Sequence, residues 1–65
     1  MVSMKAEHAA EVRVRRRGDV PECEVVVAFR GREISIRCRD YDQAVKRARI
    51  ECKAYKVVDG FTVER

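Results

Sequence analysis

Residues 22–38 read ECEVVVAFRGREISIRC, and their alternation decides the fold. Cys23, Val25, Val27 and Phe29 fall on one side of an extended chain, with Glu24, Val26, Ala28 and Arg30 on the other. After Gly31, Ile34, Ile36 and Cys38 alternate with Glu33, Ser35, Arg37 and Arg39. Successive strand residues point to opposite faces, so a period of two predicts two strands with one apolar face each. Arg30-Gly31 supplies the turn between them, because glycine tolerates the positive φ that short hairpin loops require.

The same period extends toward the N-terminus. In AEVRVRRR, residues 10–17, Ala10, Val12 and Val14 alternate with Glu11, Arg13, Arg15 and Arg17, and GDVP at 18–21 then breaks the strand. Toward the C-terminus the period changes at Asp40. DYDQAVKRARIECKAYK, residues 40–56, opens with Asp40 as N-cap and Gln43 three residues on, a capping-box pattern, with Asp42 adding negative charge to the first turn. Placed on a helix, Tyr41, Ala44, Val45, Ala48, Cys52 and Tyr55 form one apolar stripe, wide enough to cover a sheet. Asp59-Gly60 reads as a helix stop or turn, and Phe61 and Val63 alternate after it as a fourth strand. An Asp-Gly hairpin from Tyr55 to Glu64 with a shorter helix is the alternative. The fold class is α+β: a small antiparallel sheet in the order β-β-β-α-β with one helix on one face. Residues 1–65 make a single domain whose first eight residues are frayed.

The chain has 65 residues, 46% hydrophobic and 40% charged, and 15 Lys and Arg against 11 Asp and Glu give a net charge of +4. A domain of this size buries only about 60% of its unfolded surface, so stability of roughly 3–5 kcal/mol and little room for an enclosed active site are expected. No segment approaches the ~20 apolar residues needed to span a bilayer, and with no signal-like N-terminus the protein reads as cytoplasmic. Cys23, Cys38 and Cys52 form no CxxC pair and each falls on an apolar face, so they read as buried free thiols, with no metal site or cofactor implied. Arg17-Gly18-Asp19 reads as a turn. His8 is the sole histidine, Ser3 and Ser35 are the sole serines, and no glycine-rich phosphate loop follows a strand. This inventory points away from an enzyme.

Two basic surfaces remain. On the helix, Lys46, Arg49, Lys53 and Lys56 follow one another at helical spacing beside the apolar stripe, while Arg47 lies on the other side. Ile50 falls opposite the stripe, next to this flank. An exposed isoleucine within a band of one sign of charge makes a mixed surface suited to docking on a macromolecule. On the sheet face away from the helix, Arg13, Arg15, Arg17, Arg37 and Arg39 alternate with Glu11, Glu24 and Glu33, which makes cross-strand Arg-Glu pairing the plain reading. With Phe29 and Phe61 pointing to the core and Tyr41 and Tyr55 under the helix, no aromatic is left for stacking on bases.

The short meander followed by DYDQAVKRARIECKAYK and GFTVER resembles, at the level of topology, small α+β proteins of phages and mobile elements, including some anti-CRISPR proteins. The resemblance implies a stoichiometric inhibitor docking on a nucleic-acid-binding complex such as a CRISPR effector, and transfers no functional residue. The expected role is a non-catalytic basic binding module for a protein or nucleoprotein complex. The alternatives are direct nucleic-acid binding through phosphate contacts and a structural homo-oligomer, such as a homodimer joined along an edge strand.

Overall fold

The computed structural model describes residues 10–64; the expectation of fraying over residues 1–8 lies outside them. Strands β1 (Glu11–Arg16), β2 (Cys23–Phe29) and β3 (Arg32–Cys38) precede helix α1 (Tyr41–Ala54) and strand β4 (Thr62–Glu64). The sheet order is β3-β2-β1-β4, and α1 packs on β1, β2 and β3. The α+β class read from the sequence is the one observed.

The hairpin is as the alternation predicts. Phe29 faces Arg32 across a two-residue loop, and Arg30 and Gly31 have φ of 54° and 77°. Two positive φ values in a two-residue loop match the turn whose twist suits flanking strands. β1 and β2 pair antiparallel with Val12 opposite Val27 and Val14 opposite Val25, so the inward residues of both strands meet on one face.

The fourth strand departs from the expected antiparallel sheet: β4 pairs with β1 in parallel, Val63 beside Val14. Direction explains it. Two successive reversals leave β3 running with β1, and α1 carries the chain back across the sheet before β4 begins. Parallel strands need such a long crossover connection, and the helix is that connection. Side-chain alternation is the same in either direction, so the sequence pattern is blind to this choice. The alternative hairpin from Tyr55 to Glu64 does not form, because residues 55–57 close the helix instead. The Tyr55 N–H donates to Glu51 O at 2.9 Å, Lys56 N–H to Lys53 O at 3.3 Å and Val57 N–H to Cys52 O at 2.8 Å. With Lys56 at φ 58° this is a Schellman closure, completed by half-buried Val57 packing on the core that includes Cys52. At the other end the Asp40 carboxylate accepts from the Gln43 N–H at 2.9 Å, as the cap reading required.

Val12, Val14, Cys23, Val25 and Val27 of the sheet pack against Ala44, Ala48 and Cys52 of α1. The helix contributes only small residues, so its backbone approaches the valines closely. Among the described residues no side chain larger than valine is fully buried. With about 1.5 kcal/mol or somewhat more from each buried valine, the core is thin and depends on every one of them.

Three core expectations need correction. Ile34 is 50% exposed, since β3 is an edge strand and its hairpin end extends beyond the helix's cover. Tyr41 is 37% exposed, because it opens the helix at the margin of the core and its ring meets Arg16 at the end of β1 rather than the buried valines. Cys38 is half-buried, whereas Cys23 and Cys52 are buried, and all are free thiols. Burial pushes the Cys38 and Cys52 thiols up from their ordinary range.

The helix ends make opposite predictions. Asp40→Ala removes the side-chain acceptor and should cost about 1 kcal/mol. Lys56→Gly relieves a left-handed backbone on a residue with a Cβ and should gain about 0.5–1 kcal/mol. Urea denaturation reads both, and destabilisation by Lys56→Gly would contradict the assigned closure.

Candidate docking surface on the helix

Lys46, Arg49 and Lys53 recur at i, i+3 and i+7 along α1, which places them on one side of the helix, and all three are exposed. Ile50, between them in sequence and opposite buried Ala44, Ala48 and Cys52, is 59% exposed. None of these cations forms an ion pair among the described residues. The one acid in the helix body, Glu51, is held by Arg47 at 2.9 Å on the β3 side, where the Arg47 charge also acts on the Cys38 thiol. Asp42, in the first turn, stands four residues before Lys46 and so on the same side of the helix. Lys56 departs from the expected flank: it lies past the C-cap Tyr55 in a left-handed conformation, so its side chain no longer follows helical spacing. The site reduces to Lys46, Arg49, Ile50 and Lys53.

The rear face of the sheet behaves differently. Arg13 donates from Nη2 to Glu33 at 2.9 Å and from Nη1 to Glu64 at 3.0 Å; Arg15 Nε donates to Glu64 at 2.9 Å, and Arg17 Nη1 to Glu24 at 2.8 Å. Glu33 belongs to β3 and Glu64 to β4, so a single guanidinium on β1 ties both edges of the sheet. To reach Glu33 it must pass over β2, where Val26, its cross-strand neighbour, is fully buried although no helix among the described residues covers that face. The Arg13 Nε is buried without a partner among the described residues, a cost set against the two charged contacts. Arg37 is exposed on β3 opposite Glu24, and Arg39 lies beyond β3 in the bend before the helix, so it does not belong to the sheet face as expected.

Glu64 is the residue sequence reasoning missed. Its signal was the alternation of Thr62 and Glu64 opposite Phe61 and Val63, but only a parallel β4 beside β1 brings it to Arg13 and Arg15. The Arg15 hydrogen bond, reinforced by the charges of Arg15 and Arg13, holds the Glu64 carboxyl below its ordinary value of 4.5. A second missed feature is Tyr41, whose ring lies 5.6 Å from the Arg16 guanidinium carbon. Both residues line an open cleft of about 420 Å³ with Gly18, Val20 and Pro21. Among the described residues no group of three or more His, Cys, Asp or Glu is placed to hold a metal ion, and no helix is long and apolar enough to cross a membrane. Comparison with protein-family models, curated proteins and solved structures finds no match for this chain.

The rear-face pairing makes stability pH-dependent in one direction. A carboxyl whose folded value is depressed contributes fully above its unfolded value and loses that contribution as pH falls through the folded one. Glu64→Gln should therefore flatten the acid limb of the stability profile, read as urea midpoints below the ordinary carboxylate range. An unchanged acid limb would contradict the pairing.

Proposed function

We propose that this protein is a non-catalytic docking module whose helix binds an acidic surface on a macromolecular partner through Lys46, Arg49, Lys53 and Ile50. The observation that carries this reading is the unequal use of charge. The rear-face arginines Arg13, Arg15 and Arg17 are engaged by glutamates of the same sheet, while Lys46, Arg49 and Lys53 have no such partners among the described residues and surround an exposed isoleucine. Unpaired cations around an apolar residue give complementarity and an anchor together, and anchors that lose water on binding dominate interface energies. The preferred partner is a protein with a carboxylate-rich rim and a small apolar recess. Inhibition of a nucleic-acid-binding complex such as a CRISPR effector is the finer form of the proposal, and it rests on the topological resemblance alone.

Direct nucleic-acid binding is the second reading, favoured by exposed Tyr41 with Arg16 over its ring, since aromatic and guanidinium planes both stack on bases. Affinity capture from the native host separates the two. The helix triple Lys46→Glu, Arg49→Glu, Lys53→Glu should lose the partner, as should Ile50→Asp. The control triple Arg30→Glu, Arg32→Glu, Arg39→Glu carries the same charge change on exposed residues elsewhere and should retain it. Capture should survive nuclease and decline only modestly with salt, whereas phosphate binding falls steeply with salt. Retention by the helix triple, or loss on nuclease treatment, would overturn the docking reading.

A further inference from the structure

β3 is a free edge strand of seven residues, paired with β2 along its whole length without a bulge. No described residue pairs with its other side. Exposed edges are normally blunted by proline, a bulge, short length or charged side chains. β4, at the opposite edge, is short at three residues; β3 has no proline and no bulge, its charges Glu33 and Arg37 are of opposite sign, and it displays Ile34 at 50% exposure.

The hairpin fixes which backbone groups of β3 face outward. A two-residue loop makes its flanking residues, Phe29 and Arg32, a hydrogen-bonded pair. Alternation then bonds Val27 with Ile34, Val25 with Ile36 and Cys23 with Cys38. The N–H and C=O groups of Glu33, Ser35 and Arg37 therefore point away from β2, toward the open edge.

From this we infer that β3 is a self-complementary dimerisation edge, pairing antiparallel with β3 of a second copy across a two-fold axis at Ser35. In that register Ser35 meets Ser35 of the second copy, Glu33 meets Arg37, Ile34 meets Ile36 and Arg32 meets Cys38. Three consequences agree. The outward-facing residues Glu33, Ser35 and Arg37 pair only with one another, as an antiparallel ladder requires. Both charged positions find the opposite charge, and the two-fold axis makes the contact twice. On the helix side, the exposed Ile34 of each copy meets the partly buried Ile36 of the other. Moving the axis to position 33 sets Glu33 against itself, and moving it to position 37 does the same for Arg37, so charge selects the register.

Glu33 already accepts from Arg13 through Oε2 alone, which leaves Oε1 for Arg37 of the second copy. Pairing would thus extend the chain of charges from Glu64 through Arg13 and Glu33 into the next protomer. Because Ile34 and Ile36 share a face, both helices stand on the same side of one continuous sheet.

Sedimentation equilibrium over a concentration series tests the edge. The wild type should show reversible association to twice the monomer mass. Ser35→Pro removes an N–H that points away from β2, so it should keep the fold, read by circular dichroism, and abolish the dimer. Glu33→Arg and Arg37→Glu should each weaken association about tenfold, since each puts like charges opposite one another at both ends of the ladder. An equimolar mixture of these two variants sets two arginines against two glutamates and should recover association. If Ser35→Pro proves unfolded, the charge variants and their mixture decide alone. A wild type that stays monomeric, a folded Ser35→Pro that still dimerises, or a mixture no tighter than its components would overturn the inference.

Discussion

One guanidinium holds the rear of the sheet together. Arg13, on an inner strand, binds Glu33 on one edge strand and Glu64 on the other, at 2.9 and 3.0 Å. Among the described residues one helix covers one face of the sheet, and the opposite face is closed by the sheet's own side chains. Long arginine stems provide that cover while their charged ends stay near water. β4 depends on the arrangement most: with three residues, and outside the main packing of α1 on β1, β2 and β3, it rests beside β1 on backbone pairing and on the hold of Arg13 and Arg15 over Glu64.

This closure also sorts the charge of the molecule. A net charge of +4 spread evenly would say little about function. Here Glu24, Glu33 and Glu64 of the sheet engage Arg13, Arg15 and Arg17, and Arg47 takes the helix's Glu51. The positive charge left without partners among the described residues includes Lys46, Arg49 and Lys53, beside Ile50. Exposed pairs of this kind contribute only about 0–1 kcal/mol each. Their larger effect is on where an acidic partner would be drawn.

Much of the fold was legible because side-chain period and backbone geometry are locally coupled. Val12, Val14, Val25 and Val27 alternate as strand residues must, Arg30-Gly31 turns as a tight hairpin requires, and Asp40 caps the helix it precedes. What was not legible depended on relations between distant segments. The parallel direction of β4 follows from the count of reversals before it, not from any property of residues 61–64. The partial exposure of Ile34 and Tyr41 follows from where a short helix of small residues stops covering the sheet. Lys56 left the expected cationic flank because the helix closed one residue before it. The exposure of Ile50 needed only the helical period, which is why the wheel placed it correctly.

The central claim is that Arg13, Arg15 and Arg17 of the rear face are engaged within the molecule while Lys46, Arg49 and Lys53 of the helix have no partner among the described residues. Nitrogen-resolved NMR of the arginine guanidinium groups measures this directly. A guanidinium held at two nitrogens by carboxylates rotates slowly about its Cζ–Nε bond, and its protons exchange slowly with water. Arg13 should give separate, exchange-protected Nη signals, while Arg49 gives averaged, rapidly exchanging ones. Averaged signals of equal exchange rate from both residues would contradict the account.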